Sequence, residues 1–181
     1  MKQDFTFSPS SATTSAAPKN GRVLGILKIR IAPSFDSQSL IYRTGEFSYE
    51  RDPYAEFLVP PAESMEAAIR EAFRQTGVFS EVTEPGGILK PNIVAEIFVG
   101  ALYGDFRDST NAAAVLAMRV NFFNATNGAP GEVLLQKNYS RSIPLKTRTA
   151  AALMAGWNEA LNSIVKESAS DLAAKSGGEP K

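Results

Sequence analysis

The sequence predicts an α/β fold, a single compact domain whose mixed sheet of about five or six strands packs against two main helices. Two runs, 61–76 and 147–175, repeat apolar residues every three or four positions, as helices do. Around them lie runs that alternate at period two, the longest over 93–103, 112–125 and 132–143. Strand, hairpin, helix, several strands and helix is the order of a mixed sheet with its helices packed on it. A chain of 181 residues with 44 % hydrophobic side chains holds enough apolar surface for one core.

The elements follow in order. Residues 1–20 are rich in Ser, Thr, Ala and Pro and offer almost nothing apolar to bury; they read as a flexible N-terminal tether, dispensable for folding. The domain then spans 21–176, and 177–181 form a disordered tail. Over 22–33, Val23, Leu27, Ile29 and Ile31 share one face while Lys28 and Arg30 share the other. Leu24 and Ile26 make its start apolar on both sides, which places this strand inside the sheet. Two short strands, 40–43 and 46–49, flank Thr44-Gly45 as a hairpin, and Asp52-Pro53 ends the second of them.

The helix over 61–76 accepts proline in its first turn and buries Met65, Ala68, Ile69, Ala72 and Phe73, leaving Glu66, Arg70, Glu71 and Arg74 for solvent. Gly77 suits the left-handed residue just past its end. Residues 78–82 form a short strand; Gly86-Gly87 after it lacks the phosphate-loop pattern and reads as a turn. The run 93–103 is apolar on nearly both faces, with Ile93, Ala95, Ile97, Val99, Ala101 and Tyr103 on one of them, and lies inside the sheet. The strand over 112–125 follows a polar connection, turns through 127–131, and returns over 132–143. Gln136, Asn138, Ser140 and Ser142 give that last strand the wet face of a sheet edge. The final helix carries Leu153, Met154, Trp157, Leu161, Ile164, Val165 and Leu172 as its stripe, with Trp157 read as a core anchor rather than a ligand platform.

Composition removes most chemistry. With no cysteine and no histidine, disulfides, thiolate nucleophiles, imidazole bases and the commonest zinc sites are excluded. Nineteen basic side chains balance nineteen acidic ones, so no global field draws the chain to nucleic acid. No run of about 18 apolar residues spans a membrane, and Met1-Lys2-Gln3-Asp4 lacks the apolar stretch of a signal peptide, so the start reads as that of a trimmed mature chain or of a cytoplasmic protein. Asp105 with Asp108, and Glu50 with Asp52, are the carboxylate pairs; they serve as acid and base only where burial or repulsion splits their pKa values. A calcium-loop pattern is absent around Asp105, and Ser140-Arg141-Ser142 lacks both a base and elbow glycines. No catalytic residue, cofactor or metal ligand is nominated.

Residues 39–57 remain, with three of the five tyrosines. Ile41-Tyr42-Arg43, then Tyr49, Tyr54, Phe57, Pro60-Pro61 and a helix ending Phe73-Arg74-Gln75-Thr76-Gly77-Val78-Phe79, resemble the ABC-type transport auxiliary lipoprotein family over roughly Arg22 to Ala173. Phe57 stands where the family is expected to carry tryptophan, and the family's lipid-bearing cysteine does not occur in the sequence. The resemblance implies an anticodon-binding-like or TolB N-terminal-like topology. It also implies a non-enzymatic accessory lipoprotein of an ABC lipid transport system of the MCE (mammalian cell entry) type, without cofactor. Such a protein is periplasmic, anchored at the outer membrane by an N-terminal lipid, and partnered by MCE-type or other ABC transporter subunits; association with its own copies stays open. Two readings from other classes stand beside it: a small-molecule or lipid-binding module with its ligand between the hairpin and a helix, and a carboxylate-only hydrolase.

Tyr42, Arg43, Tyr49, Tyr54 and Phe57 are the candidate partner-binding residues. They form the densest aromatic stretch, on an excursion between a central strand and the first helix, and arginine with tyrosine is the pairing enriched at interface cores. Arg43 is equally suited to a salt bridge with Glu46 or Glu50, and Phe57-Leu58-Val59 is either a staple that fixes the start of the helix or an exposed patch.

Overall fold

The structure, a computed structural model, describes residues 1–9, 20–84 and 86–177. A mixed sheet is built around β7 (Ile93–Asp105), the strand whose sequence is apolar on nearly both faces. One edge of β7 takes three parallel strands in succession: β2 (Val23–Ile26) near Ile93, β3 (Arg30–Ile31) at Phe98 and β4 (Ser39–Arg43) at Gly104. Its other edge pairs antiparallel with β8 (Ala113–Thr126), which pairs in turn with the edge strand β9 (Ala129–Pro144). Beyond β2 lies β6 (Glu81–Val82); beyond β4 lie β5 (Tyr49–Phe57) and then β1 (Gln3–Phe5). Asn127 and Gly128, both at positive φ (52° and 81°), make the two-residue turn between β8 and β9 whose twist matches the strands.

The helices α1 (Pro61–Gln75) and α2 (Ala150–Ser176) both pack on one face of this sheet, and one core joins them to Ile97, Val99, Leu102, Leu116, Val120 and Phe122. Every apolar position assigned to the two helical stripes is buried. Thr149 caps α2 by accepting the N–H of Ala152, and Gly77 takes the left-handed conformation after α1 at φ 67°. Among the described residues no helix is long and apolar enough to cross a membrane.

The mixed α/β class matches the expectation, but the sheet has nine strands rather than five or six. The run over 22–33 breaks into β2 and β3, and strands of two or three residues are too short for period two to register. Arg70, expected in solvent, is buried between Glu66 at 2.6 Å and Glu84 at 3.2 Å, because the loop after β6 folds back over α1. Nor does β5 stop at Asp52-Pro53. The β4–β5 register slips between Ser39 and Ile41, which releases residues opposite it, and Asp52 Oδ1 accepts the N–H groups of Tyr54 at 2.7 Å and Ala55 at 2.9 Å. Proline is tolerated where the ladder is already interrupted.

The largest departure concerns the first residues. β1 pairs parallel with β5, Gln3 opposite Ala55 and Phe5 opposite Phe57, and Phe7 is only 3 % exposed. Its N–H donates to Ser64 Oγ at 2.8 Å on α1, and the N–H of Ser8 donates to Asn158 Oδ1 at 3.1 Å on α2. Residues 3–8 therefore belong to the domain. The tether expectation over 10–19 and the tail over 178–181 fall outside the described residues. Two phenylalanines, spaced so that one extends a strand and the next fills the core, outweigh the polar composition around them.

Close approach is required at one glycine of α2. A Cβ on Gly156 would stand 2.6 Å from Ala114 Cβ on β8 and 3.1 Å from Leu145. Gly156→Ala is expected to push α2 off the sheet at a cost of about 1–3 kcal/mol, which urea denaturation followed by far-UV circular dichroism measures as a lower midpoint with unchanged slope.

Candidate partner-facing surface

The hairpin residues divide between two faces of one sheet. Phe57 faces the helices and is 2 % exposed, stacked between Phe7 (ring centroids 5.8 Å apart) and Trp157 (5.9 Å). It is a core residue and leaves the candidate surface; the alternation of β5 directs it inward with Ala55. Leu58 and Val59 after it are exposed, so only the first position of the apolar triplet is core. Tyr42 also turns toward the helices, stacked on Phe106 at 4.6 Å, with its hydroxyl donating to Asp52 Oδ2 at 2.5 Å. Burial, and then that carboxylate, push its phenol pKa well above the ordinary tyrosine value.

Arg43 and Tyr49, opposite one another in the β4–β5 ladder, point to the other face. The guanidinium lies 5.8 Å from the Tyr49 ring centroid and donates from Nη2 to the Glu46 carbonyl at 2.7 Å, not to the carboxylate of Glu46 or Glu50. Its Nε is buried without a hydrogen-bond partner among the described residues. Tyr49, 44 % exposed, meets Phe35 and Tyr103 edge-on at 5.7 Å and 5.5 Å, and those two rings stack on each other at 5.5 Å. Tyr54 is 68 % exposed on β5 and, among the described residues, stacks on no other ring. Tyr42, Arg43 and Tyr49 are thus brought to one end of the sheet, Tyr54 stands apart, and Phe57 is withdrawn.

Phe35, Tyr103 and, at the hairpin tip, Phe47 at 87 % exposure complete this end. A register shift between Val99 and Ala101 moves Tyr103 there. It reverses the alternation, so that Leu102 enters the core and Tyr103 leaves it. Gly100 between two apolar faces was the signal, since glycine inside a strand often marks a bulge.

The carboxylate pairs are tied up separately. Arg107 bridges both oxygens of Asp105, at 2.9 Å and 2.6 Å, and holds its pKa below the usual carboxylate range. Asp108 accepts from the Thr110 hydroxyl and N–H and from Asn111, which bring it down to about 2. Asp52 accepts from Tyr42 and two backbone N–H groups, while Glu50 is exposed. Neither Asp105 nor Asp108 is an acid with a raised pKa. Among the described residues no three Asp or Glu side chains converge as a metal site. The space between hairpin and helices, where a ligand was envisaged, is filled by Phe7, Phe57, Trp157 and Tyr42.

The family model described as the ABC-type transport auxiliary lipoprotein component matches residues 5–169. Protein XCC0632 from Xanthomonas campestris is similar in structure, with TM-score 0.74, 17 % identity and 91 % of each chain covered. An uncharacterized protein superposes with TM-score 0.70 at 9 % identity, over 87 % of this chain and 96 % of the other. Hypothetical protein CT253 from Chlamydia trachomatis gives 0.51 at 11 % identity, over 84 % and 99 %. At these identities the likeness is one of fold. No curated protein matches the sequence.

Proposed function

Because the chain belongs to the ABC-type transport auxiliary lipoprotein family, we propose that it is a non-enzymatic accessory component of an MCE-type lipid transport system and acts through protein contacts. In this reading it works in the periplasm, held by an N-terminal lipid at the outer membrane, with MCE-type or other ABC transporter subunits as partners. The observation that carries the reading is the family match over residues 5–169, which spans nearly the whole folded domain. The absence of cysteine and histidine and the solvated, separately bonded carboxylates support a role without catalysis. The aromatic end of the helix-free face, Tyr49 with Arg43 beside it, supports recognition by contact.

Co-purification tests it. The tagged full-length protein, extracted from envelope membranes in mild detergent, is expected to bring down the MCE-type subunit of its own system. Arg43→Ala is expected to weaken that association while the melting temperature falls by no more than about 2–4 °C, since the lost hydrogen bond is a partly exposed one worth about 1 kcal/mol. A large loss of stability with association intact would make Arg43 a structural residue.

A further inference from the structure

We propose that the helix-free face of the sheet docks an acidic amphipathic helix of a protein partner; this rests on the reading of the chain as an auxiliary subunit that works by protein contact. The whole chain is neutral, yet its charge is unevenly placed. Alternation along β3, β4, β5 and β8 puts Arg30, Arg43, Arg51 and Arg119 on this face. The acidic side chains that β7 contributes are already taken, Glu96 by Arg30 at 2.7 Å and Asp105 by Arg107 at 2.6 Å. Among the described residues Arg43, Arg51 and Arg119 form no ion pair. On the opposite side, Arg70, Arg74 and Arg141 are each paired with a glutamate. Among the described residues Lys166 and Lys175 on α2 are also without an ion pair, but three arginines without one, Arg43, Arg51 and Arg119, share the face that no helix of this chain covers.

The shape of the face suits a helix. Its middle is floored by small residues, Gly100, Ala117 and Ser140, and forms a shallow groove of about 280 Å³ against Phe98 and Arg119. Arg119 lies over the Phe98 ring at 5.5 Å at one end, and Arg43 lies over Tyr49 beside Tyr103 at the other. From Phe98 to Asp105 the sheet runs about 23 Å at ~3.3 Å per residue, the length of about 15 helical residues. A helix laid there places apolar side chains on the small floor and carboxylates within reach of the guanidiniums, whose planar forks take carboxylates bidentately. A bilayer fits this face less well. Phe98 and Tyr103 on it are half-buried, whereas exposed apolar side chains such as Leu58 and Ile88 sit in loops outside it.

Charge reversal tests the proposal in the full-length protein purified with its transporter subunits. Arg51→Glu/Arg119→Glu is compared with Lys166→Glu/Lys175→Glu, which makes the same change of charge on α2. The expected result is at least a tenfold loss of bound subunit in the first variant only, an unchanged melting temperature in both, and a steep fall in wild-type association with salt. Equal retention, or equal loss, in the two variants overturns the docking surface while leaving the auxiliary role standing. A wild-type protein that brings down no transporter subunit overturns the auxiliary role and this inference with it. Flotation with phosphatidylglycerol and phosphatidylcholine vesicles forms the other arm: phosphatidylglycerol binding that the first variant abolishes, with subunit binding intact, assigns the face to an anionic bilayer and overturns the protein partner.

Discussion

Phe7→Ala is expected to destabilise the domain by about 3–5 kcal/mol, the usual cost of emptying a buried phenylalanine site. For a chain of this size that lowers the melting temperature by about 6–20 °C. The ring stacks on Phe57, which stacks on Trp157, so its removal opens a cavity at one end of a row of three aromatics that ties β1, β5 and α2 together. Ser64→Ala tests the polar half of the same anchor: it leaves the buried N–H of Phe7 without its acceptor, at a cost of about 1–3 kcal/mol. Thermal melts of the two variants read both effects. An unchanged midpoint in Phe7→Ala would mean that the first nine residues only rest on the domain.

Trp157→Ala is the second large effect, again about 3–5 kcal/mol. The indole is fully buried, and its Nε1 donates to the carbonyls of Val115 at 3.1 Å and Tyr103 at 3.3 Å, residues paired across the β7–β8 ladder. The side chain thus fixes α2 to two strands at once, next to the close approach at Gly156. Trp157→Phe keeps most of the ring and is expected to lose about 1 kcal/mol, the worth of a typical hydrogen bond. Denaturant titrations followed by far-UV circular dichroism separate the two, and equal losses would place the anchor in the hydrogen bonds rather than in packing.

Long periodic segments carried their meaning in the sequence. The stripes of both helices, the inward residues of β8 and the exposed row of β9 alternate as their neighbours in space require, so residue spacing alone revealed them. Three features were set by tertiary context. Phe5 and Phe7 lie in a polar stretch, and only the edge of β5 and the pocket at Ser64 give them a place. Pro53 signals a strand end locally, yet Asp52 satisfies the N–H groups that the slipped register leaves free. The bulge at Gly100 reverses alternation where both faces of β7 are apolar, so periodicity had nothing to contrast. The density of aromatic and arginine side chains at the hairpin was legible in the sequence, but Phe57 is core, Tyr42 turns toward the helices, and Phe35 and Tyr103 join Tyr49 from other strands and loops.

A photo-reactive phenylalanine analogue placed at Ala117, on the floor of the helix-free face, and separately at Glu159, exposed on α2, addresses the account at its centre. The full-length protein is irradiated in intact envelope membranes, and the crosslinked peptides are identified by mass spectrometry. The predicted result is a crosslink from position 117 to a helix rich in Asp and Glu in an MCE-type or other ABC transporter subunit, with none from position 159. Crosslinks to such a subunit from 159 alone, or from 117 to lipid alone, would contradict it.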